Sequence, residues 1–247
     1  MRRFFVEEIR EGGGALVLRG AEANHIRTVL RMAPGDRLVL LDSRGKRHEA
    51  LIASVDRHEV VVNLERPLPS PPPSPVEITL CQALLRSHSM DLIIQKTSEL
   101  GVDRILPFVS ERTIVKPDKG AFANKVKHWR EIALSATKQS GRLRPAEIGP
   151  LSTFFELIDL WRGEEIMKIV LWEDESVENL KSLIRSTRSP RRAVGVIGPE
   201  GGFSNEEIVE AREAGFVSAS LGQRILRAET AAVTLVALLQ YEWGDLG

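Results

Sequence analysis

The stretch from Ala193 to Trp243 limits the folds open to this chain more than any other. Ala193–Ile197 is a short apolar run of the kind that forms a buried strand. It passes straight into Gly198-Pro199-Glu200-Gly201-Gly202, where glycines let the backbone take positive φ and approach a ligand closely. Ser204 follows, with Glu207 three residues on, the signature of a capping box that opens a helix. Strand, glycine-rich loop and helix in that order present backbone N–H groups to anionic or polar ligands. A second apolar run, Phe216–Leu221, ends in Gly222. Ala228–Trp243 then reads as a helix in which Thr230 and Thr234 are the only polar residues from 230 to 239. A helix apolar on every side is buried or sits in an interface.

The loop does not match the common nucleotide motifs. GPEGG is not G-x-G-x-x-G, and no acidic residue follows about 20 residues on at a strand end, so the dinucleotide fingerprint fails. No Lys-Ser/Thr pair makes it a P-loop. Upstream, Val76–Leu80 reads as a strand and Ser89–Leu100 as a helix, with Ser89 as cap and Gly101 just past the end. Arg104–Val109 and Ile166–Trp172 read as further strands. Strands alternating with helices define an α/β domain with a mainly parallel sheet.

The first part of the chain is different. Phe4–Val6, Ala15–Leu18, Arg37–Leu41, Glu49–Val55 and Val60–Leu64 are strand candidates, separated by turns at Gly12–Gly14, Pro34–Asp36 and Ser43–Gly45. Ala21–Arg31 is the one helical patch. Short strands with close turns suggest a small β-barrel. Pro67–Pro75 holds six prolines in nine residues and reads as an extended linker. Three segments follow: a β-barrel domain over residues 1–70, the end of the linker at 71–75, and an α/β domain over 76–247.

Formal charge sums to zero over 247 residues, so any nucleic-acid signal must be local. Residues 116–144 hold eight Lys and Arg against Asp118 and Glu131. Trp129, Ile132, Ala133 and Ala136 recur there at helical spacing, while His128 and Trp129 are candidates to stack on bases. Arg2, Arg3, Arg27, Arg31, Arg44, Lys46 and Arg47 cluster in the first domain as a solvated surface or as phosphate contacts. His25 reads as structural. The single cysteine, Cys81, lies in an apolar stretch with no basic neighbour to activate it and reads as a buried structural thiol. A lone cysteine fits a reducing compartment. No run nears the ~18 apolar residues of a membrane helix, and Arg2-Arg3-Phe4-Phe5-Val6 is not a signal peptide. No Cys/His cluster suggests a metal. A cytoplasmic protein is the expectation.

The words themselves resemble a known family. VIGPEGGFSNEE at 196–207 and LGQRILRAETA at 221–231 are similar to the S-adenosylmethionine-binding motifs of SPOUT methyltransferases, most of all the family that methylates N3 of a uridine in 16S ribosomal RNA. RRFFV at 2–6, HIRTVLRMAPGD at 25–36, MDLIIQKTSELGVDRILPFVSERTIVK at 90–116 and WREIALSATKQSGRLRPAEI at 129–148 resemble the same family. The resemblance implies a C-terminal SPOUT α/β trefoil-knot domain preceded by a PUA-like or OB-like β-barrel that binds RNA. It implies S-adenosylmethionine as cofactor, 16S rRNA in the small ribosomal subunit as substrate, and a homodimer. Cofactor contacts are expected from Leu171, Glu173, Ile197, Gly198, Pro199, Glu200, Gly201, Gly202, Leu221, Gly222, Ile225, Leu226, Arg227, Thr230 and Ala231. Arg227 is expected to stabilise charge on the uracil oxygens, with Glu229 or Glu200 accepting the N3 proton or orienting Arg227. RNA contacts are expected from Arg2, Arg3, Arg27, Arg31, Arg112, Lys116, Lys138, Gln139 and Arg142. Lys96, Glu99 and Ser140 also match family motif positions. Two other readings remain open on sequence alone: an enzyme of the same fold acting on tRNA or another rRNA position, and a non-catalytic RNA-binding assembly protein.

Overall fold

The computed structural model describes residues 2–9, 14–42, 44–115, 119–175 and 178–246. Gly12, Gly13, Ser43 and Lys116, singled out above, lie outside these ranges. The chain forms two compact units, Met1–Pro72 with Thr137–Arg144, and Pro73–Ala136 with Pro145–Gly247.

In the first unit, β1 (Arg2–Val6), β2 (Ala15–Arg19), β3 (Arg37–Asp42), β4 (Arg47–Val55) and β5 (Glu59–Leu68) form one curled sheet in the order β1-β3-β4-β5-β2. Only the β1–β3 pair is parallel. The inward residues Phe4, Leu18, Leu38, Leu40, Ala50, Ile52, Val60 and Val62 make its core, with Ile26 from the helical patch. That patch is α1 (Gly20–Asn24) continued by a wider π turn over His25–Val29. His25 packs edge-on to the Phe4 ring at 6.1 Å, a structural contact. The buried Asp42 carboxylate accepts from the backbone N–H groups of Ile9, Arg44 and Lys46 at 3.2, 2.9 and 2.8 Å and so closes the β3–β4 turn. The proline-rich stretch starts later than expected, because β5 runs to Leu68 and pairs Pro67 with His48. A proline is tolerated at such a strand end, where its missing N–H costs little.

The second unit is a parallel sheet in the order β12-β10-β11-β6-β7-β8, with β9 (Ser152–Thr153) also on β7. Its strands are β6 (Glu77–Ala83), β7 (Arg104–Val109), β8 (Glu147–Ile148), β10 (Met167–Leu171), β11 (Arg192–Ile197) and β12 (Val217–Ala219). Every pair is parallel. A parallel sheet must be covered on both faces, and two cores do this. One holds Leu80, Ile94, Trp129, Leu180, Leu235 and Leu239, contributed by the sheet and by α2 (Ser87–Glu99), α3 (Lys119–Ser140), α5 (Leu180–Ser186) and α7 (Ala228–Trp243). The other holds Phe108, Phe154, Leu157, Val196, Phe203 and Ile208, from the sheet, α4 (Phe154–Asp159), α6 (Asn205–Glu213) and the loop before α6.

Three expectations are corrected here. Ser89 does not cap α2: the helix starts at Ser87 and its N-cap residue is Arg86, with no side-chain cap hydrogen bond. The strand expected over Val76–Leu80 starts one residue later, at Glu77, and runs on to Ala83. Trp129 does not face a base: it is 3% exposed, lies 5.7 Å edge-on from Phe122, and donates its indole N–H to Asp91 at 3.2 Å. The apolar face of α3 draws the ring inward, and His128 alone stays exposed, 3.1 Å from the other Asp91 oxygen. Among the described residues no helix is long and apolar enough to cross a membrane.

Helix α7 lies against the centre of the sheet because β11 carries Gly195. A Cβ built there would stand 2.4 Å from Leu235 Cδ2, inside a side chain that is fully buried. We predict that Gly195→Ala lowers unfolding stability by about 1–3 kcal/mol through overpacking, read as a lower urea midpoint. An unchanged midpoint would show that α7 is not held at this distance.

Candidate active site

Parallel strands all end on one edge of their sheet, and ligands of such sheets bind outside the carboxyl ends. Here Leu171 ends β10, Ile197 ends β11 and Ala219 ends β12. The loops that leave these strands enclose a cleft of about 600 Å³. Its floor is buried: Leu171, Ile197, Gly198, Pro199 and Ala219. Leu221, Leu226, Ala228 and Ala231 add half-buried apolar wall.

The glycine loop is shaped by two tight contacts. Gly202 has φ 68°, a conformation that favours glycine, and a Cβ there would lie 1.9 Å from Glu173 Oε1. The Glu173 carboxylate therefore rests on the bare backbone of the loop. On the other side Arg112 donates to the Gly201 carbonyl at 3.1 Å. The capping box expected from Ser204 and Glu207 is present, with both reciprocal bonds made. Glu207 does more than cap. It is buried, and its second oxygen accepts the backbone N–H of Glu111 at 3.0 Å. One carboxylate thus ties the loop after β7 to the start of α6, on either side of the glycine loop.

Arg227 is the N-cap residue of α7; its carbonyl accepts the Ala231 N–H at 2.8 Å and its side chain is free to reach into the cleft. Glu229 stands in the first turn of the same helix, and Glu200 is exposed at the tip of the glycine loop. Arg86, Arg224, Arg227, Glu173, Glu200 and Glu229 all line the cleft, and none of them makes an ion pair among the described residues. Cys81 contributes no nucleophile: it is fully buried, and burial pushes its thiol far above the ordinary range. Among the described residues no group of His, Cys, Asp and Glu is arranged to hold a metal ion.

Most residues named from the sequence meet in this cleft: Leu171, Glu173, Ile197, Gly198, Pro199, Glu200, Gly202, Leu221, Gly222, Ile225, Leu226, Arg227, Glu229 and Ala231. Gly201 and Thr230 do not line it; Gly201 faces Arg112 and Thr230 is exposed on α7. The cleft also takes in Arg86, Ser89, Ile114, Trp172, Ser220, Gln223 and Arg224, which were not singled out as site residues. Several of these sit just past a strand end, so the carboxyl-edge rule applied to each strand in turn would have found them. Lys96 and Glu99 pair with each other at 3.0 Å on α2 and do not line the cleft.

Of the expected RNA contacts, Arg112 meets the glycine loop and Lys116 lies outside the described residues; the others do not line the cleft. In the first unit the Arg3 guanidinium donates to the Lys138 and Gln139 carbonyls at 3.4 and 3.3 Å, and Lys138 pairs with Glu22. Arg2, Arg31 and Gln139 are exposed, Arg142 is half-buried, and Arg27 lines a smaller hollow with Asn24, Arg57 and His58.

An RNA methyltransferase domain family matches residues 72–240, and an RNA methyltransferase PUA domain family matches residues 18–65. Fold and cleft together therefore define an RNA methyltransferase of the SPOUT α/β class that carries a PUA domain. Ribosomal RNA small subunit methyltransferase E of Aquifex aeolicus is 35% identical over 244 residues, covering 97% of this chain and 99% of that protein. The protein of the same name from Mycobacterium tuberculosis is 30% identical over 246 residues, covering 97% and 92%. The crystal structure of ribosomal RNA small subunit methyltransferase E from Neisseria gonorrhoeae, bound to S-adenosyl methionine, superposes with a TM-score of 0.90 at 34% identity, over 100% of both chains. The chain belongs to the ribosomal RNA small subunit methyltransferase E family.

Removing the Glu207 carboxylate orphans two backbone donors, each worth about 1–3 kcal/mol when left unsatisfied in a buried position. We predict that Glu207→Ala lowers stability by about 2–4 kcal/mol in urea unfolding, a loss that the unchanged midpoint of a merely surface residue would contradict.

Proposed function

We propose that this chain transfers a methyl group from S-adenosylmethionine to N3 of a uridine in 16S ribosomal RNA of the small ribosomal subunit, acting as a cytoplasmic homodimer. The observation that carries this reading is the cleft itself: a buried apolar floor at the carboxyl ends of three parallel strands, lined by Arg86, Arg224, Arg227, Glu173, Glu200 and Glu229, none of which makes an ion pair among the described residues. Its volume of about 600 Å³ suits a ligand the size of the cofactor. The bound cofactor supplies an electrophilic methyl group on a sulfonium. Ile197, Leu221 and Leu226 give apolar walls for an adenine, and the backbone of Gly198–Gly202 and of Leu221-Gly222 gives N–H and C=O groups for its polar edges. Gly201 and Thr230, outside the lining, would support these loops rather than touch the ligand.

Uridine N3 carries a proton at neutral pH; its removal puts negative charge on N3 and the uracil oxygens, and that charge is consumed as N3 bonds to the methyl carbon and the C–S bond breaks to leave a neutral thioether. Arg227, rigidly placed by its N-cap position, faces that charge. Glu229, two residues on, or Glu200 across the cleft accepts the proton. A base within ribosomal RNA must be unstacked to enter. Arg2, Arg27, Arg31, Arg112, Gln139 and Arg142 are proposed to meet the RNA backbone, with Arg3 and Lys138 bracing the C-terminal end of α3, which carries Gln139 and leads into Arg142. The same role is proposed for Lys116. The partner subunit is proposed to cover α7, whose surface from Thr230 to Tyr241 stays partly exposed, with Tyr241 63% accessible.

The test uses small ribosomal subunits that lack the modification and cofactor carrying a labelled methyl group. Wild-type protein is expected to label 16S RNA. Arg227→Ala should lower turnover by about 10²–10³-fold, the loss typical of one preorganised charge-stabilising group. Cofactor affinity should stay within about threefold, and Trp172, the one tryptophan that lines the cleft, offers a fluorescence signal to measure it. Near-full turnover in Arg227→Ala would remove the arginine from the mechanism.

A further inference from the structure

Charged side chains near the cleft fall into two sets. Some are held by partners. Arg212 pairs with Glu175 at 2.7 Å and stacks over the Trp172 ring at 5.6 Å, and Arg112 donates to the Gly201 carbonyl. Arg86 and Arg224 are different. Both are exposed on the cleft rim, and neither makes a hydrogen bond or an ion pair through its side chain among the described residues.

We propose that Arg86 and Arg224 bind the backbone phosphates on either side of the nucleotide that receives the methyl group. This rests on reading the chain as an RNA methyltransferase and names the groups that grip its substrate at the cleft. Strand order supports the assignment. Arg86 follows β6 and Arg224 follows β12, with β10 and β11 between them. Three strand spacings separate their origins, about 14 Å. The carboxylates Glu173 and Glu200 follow β10 and β11, so the strands they leave lie between those that the two arginines leave. In strand order the charges that leave these four strands read positive, negative, negative, positive, and α7 adds Arg227 and Glu229 to the same cleft. A nucleotide entering base-first places its uncharged base at the centre and its phosphates toward the flanks, which this pattern favours. A guanidinium presents a planar fork that matches phosphate oxygens two at a time.

The apolar part of the rim fits the same occupant. Ile114 and Ile225 are 67% and 85% exposed and line the cleft alongside the two arginines. Apolar side chains this open to water at the mouth of a cleft offer a surface to an unstacked base. Arg86 is also held ready. As the N-cap residue of α2 it has φ −58° and ψ 148°, and the first turn of that helix carries no acidic residue to neutralise it.

The experiment titrates wild-type protein, Arg86→Ala, Arg224→Ala and the double variant with a 16S RNA transcript by fluorescence anisotropy at several salt concentrations. Each variant is also titrated with S-adenosylmethionine alone. Both arginines are exposed and unpaired, so the variants should unfold at the wild-type temperature. Each single substitution is expected to weaken RNA binding about tenfold, the loss of one charge-assisted contact. Each should also flatten the dependence of log affinity on log salt by about one unit. Cofactor affinity is expected to stay within about twofold. Unchanged RNA affinity and salt slope would overturn the proposal. So would a parallel loss of cofactor affinity with an unaltered salt slope, which would put the arginines on the methionyl carboxylate. A wild-type protein that binds the RNA and transfers no methyl group would defeat the proposed reaction, while the phosphate contacts would still be read from the same titrations.

Discussion

The packing of α7 on β11 is the contact on which the rest of this molecule depends. Gly195 removes the side chain that would otherwise hold the helix off the sheet, and Leu235 fills the space. A parallel sheet needs cover on both faces, and α7 supplies the centre of one. Its N-terminus is thereby fixed at the carboxyl edge of the sheet. That one placement brings Arg227 and Glu229 to the strand ends where Gly198–Gly202 and Leu221-Gly222 also emerge. Segments far apart in sequence meet there because parallel strands all point the same way.

The loops are held by polar contacts as specific as the core is apolar. Glu207 caps its own helix and reaches the loop after β7. Glu173 rests against Gly202, where no side chain fits. Elsewhere on the surface this chain pairs its charges readily, as in Arg19 with Glu59 and Arg162 with Asp159 and Glu210. Inside the cleft it does not. Unpaired charges in a concave site are poised for a ligand, since each guanidinium or carboxylate keeps its full hydrogen-bonding capacity.

Much of this was legible in the sequence. The helix Ala228–Trp243, the capping box at Ser204 and the strand Arg104–Val109 appear as read. Each is written in local pattern: apolar continuity, a polar cap at fixed spacing, or a run bounded by turn residues. The misreadings have a common origin in tertiary context. Ser89 has the chemistry of a cap, yet α2 already starts two residues earlier, at Ser87 behind Arg86. Trp129 has the chemistry of a stacking residue, yet its place on the apolar face of α3 buries it. Pro67 looks like a linker residue, yet β4 extends far enough to pair with it. Arg86 carries no local signature, and Arg224 sits in a quoted motif without being marked there as a site residue. Only the strand order sets the strands they leave three apart on one edge, and strand order is not written in any short window of sequence.

The most direct test of the account is the identity of the methylated atom. Purified protein, S-adenosylmethionine and small subunits lacking the modification would be incubated together, the 16S RNA digested, and its nucleosides resolved by mass spectrometry. The account predicts 3-methyluridine, present with wild-type protein and strongly reduced with Arg227→Ala. Methyl label recovered in another nucleoside would contradict the assignment of the cleft to a uracil ring, and RNA that stays unmethylated by a cofactor-binding protein would contradict the proposed activity itself.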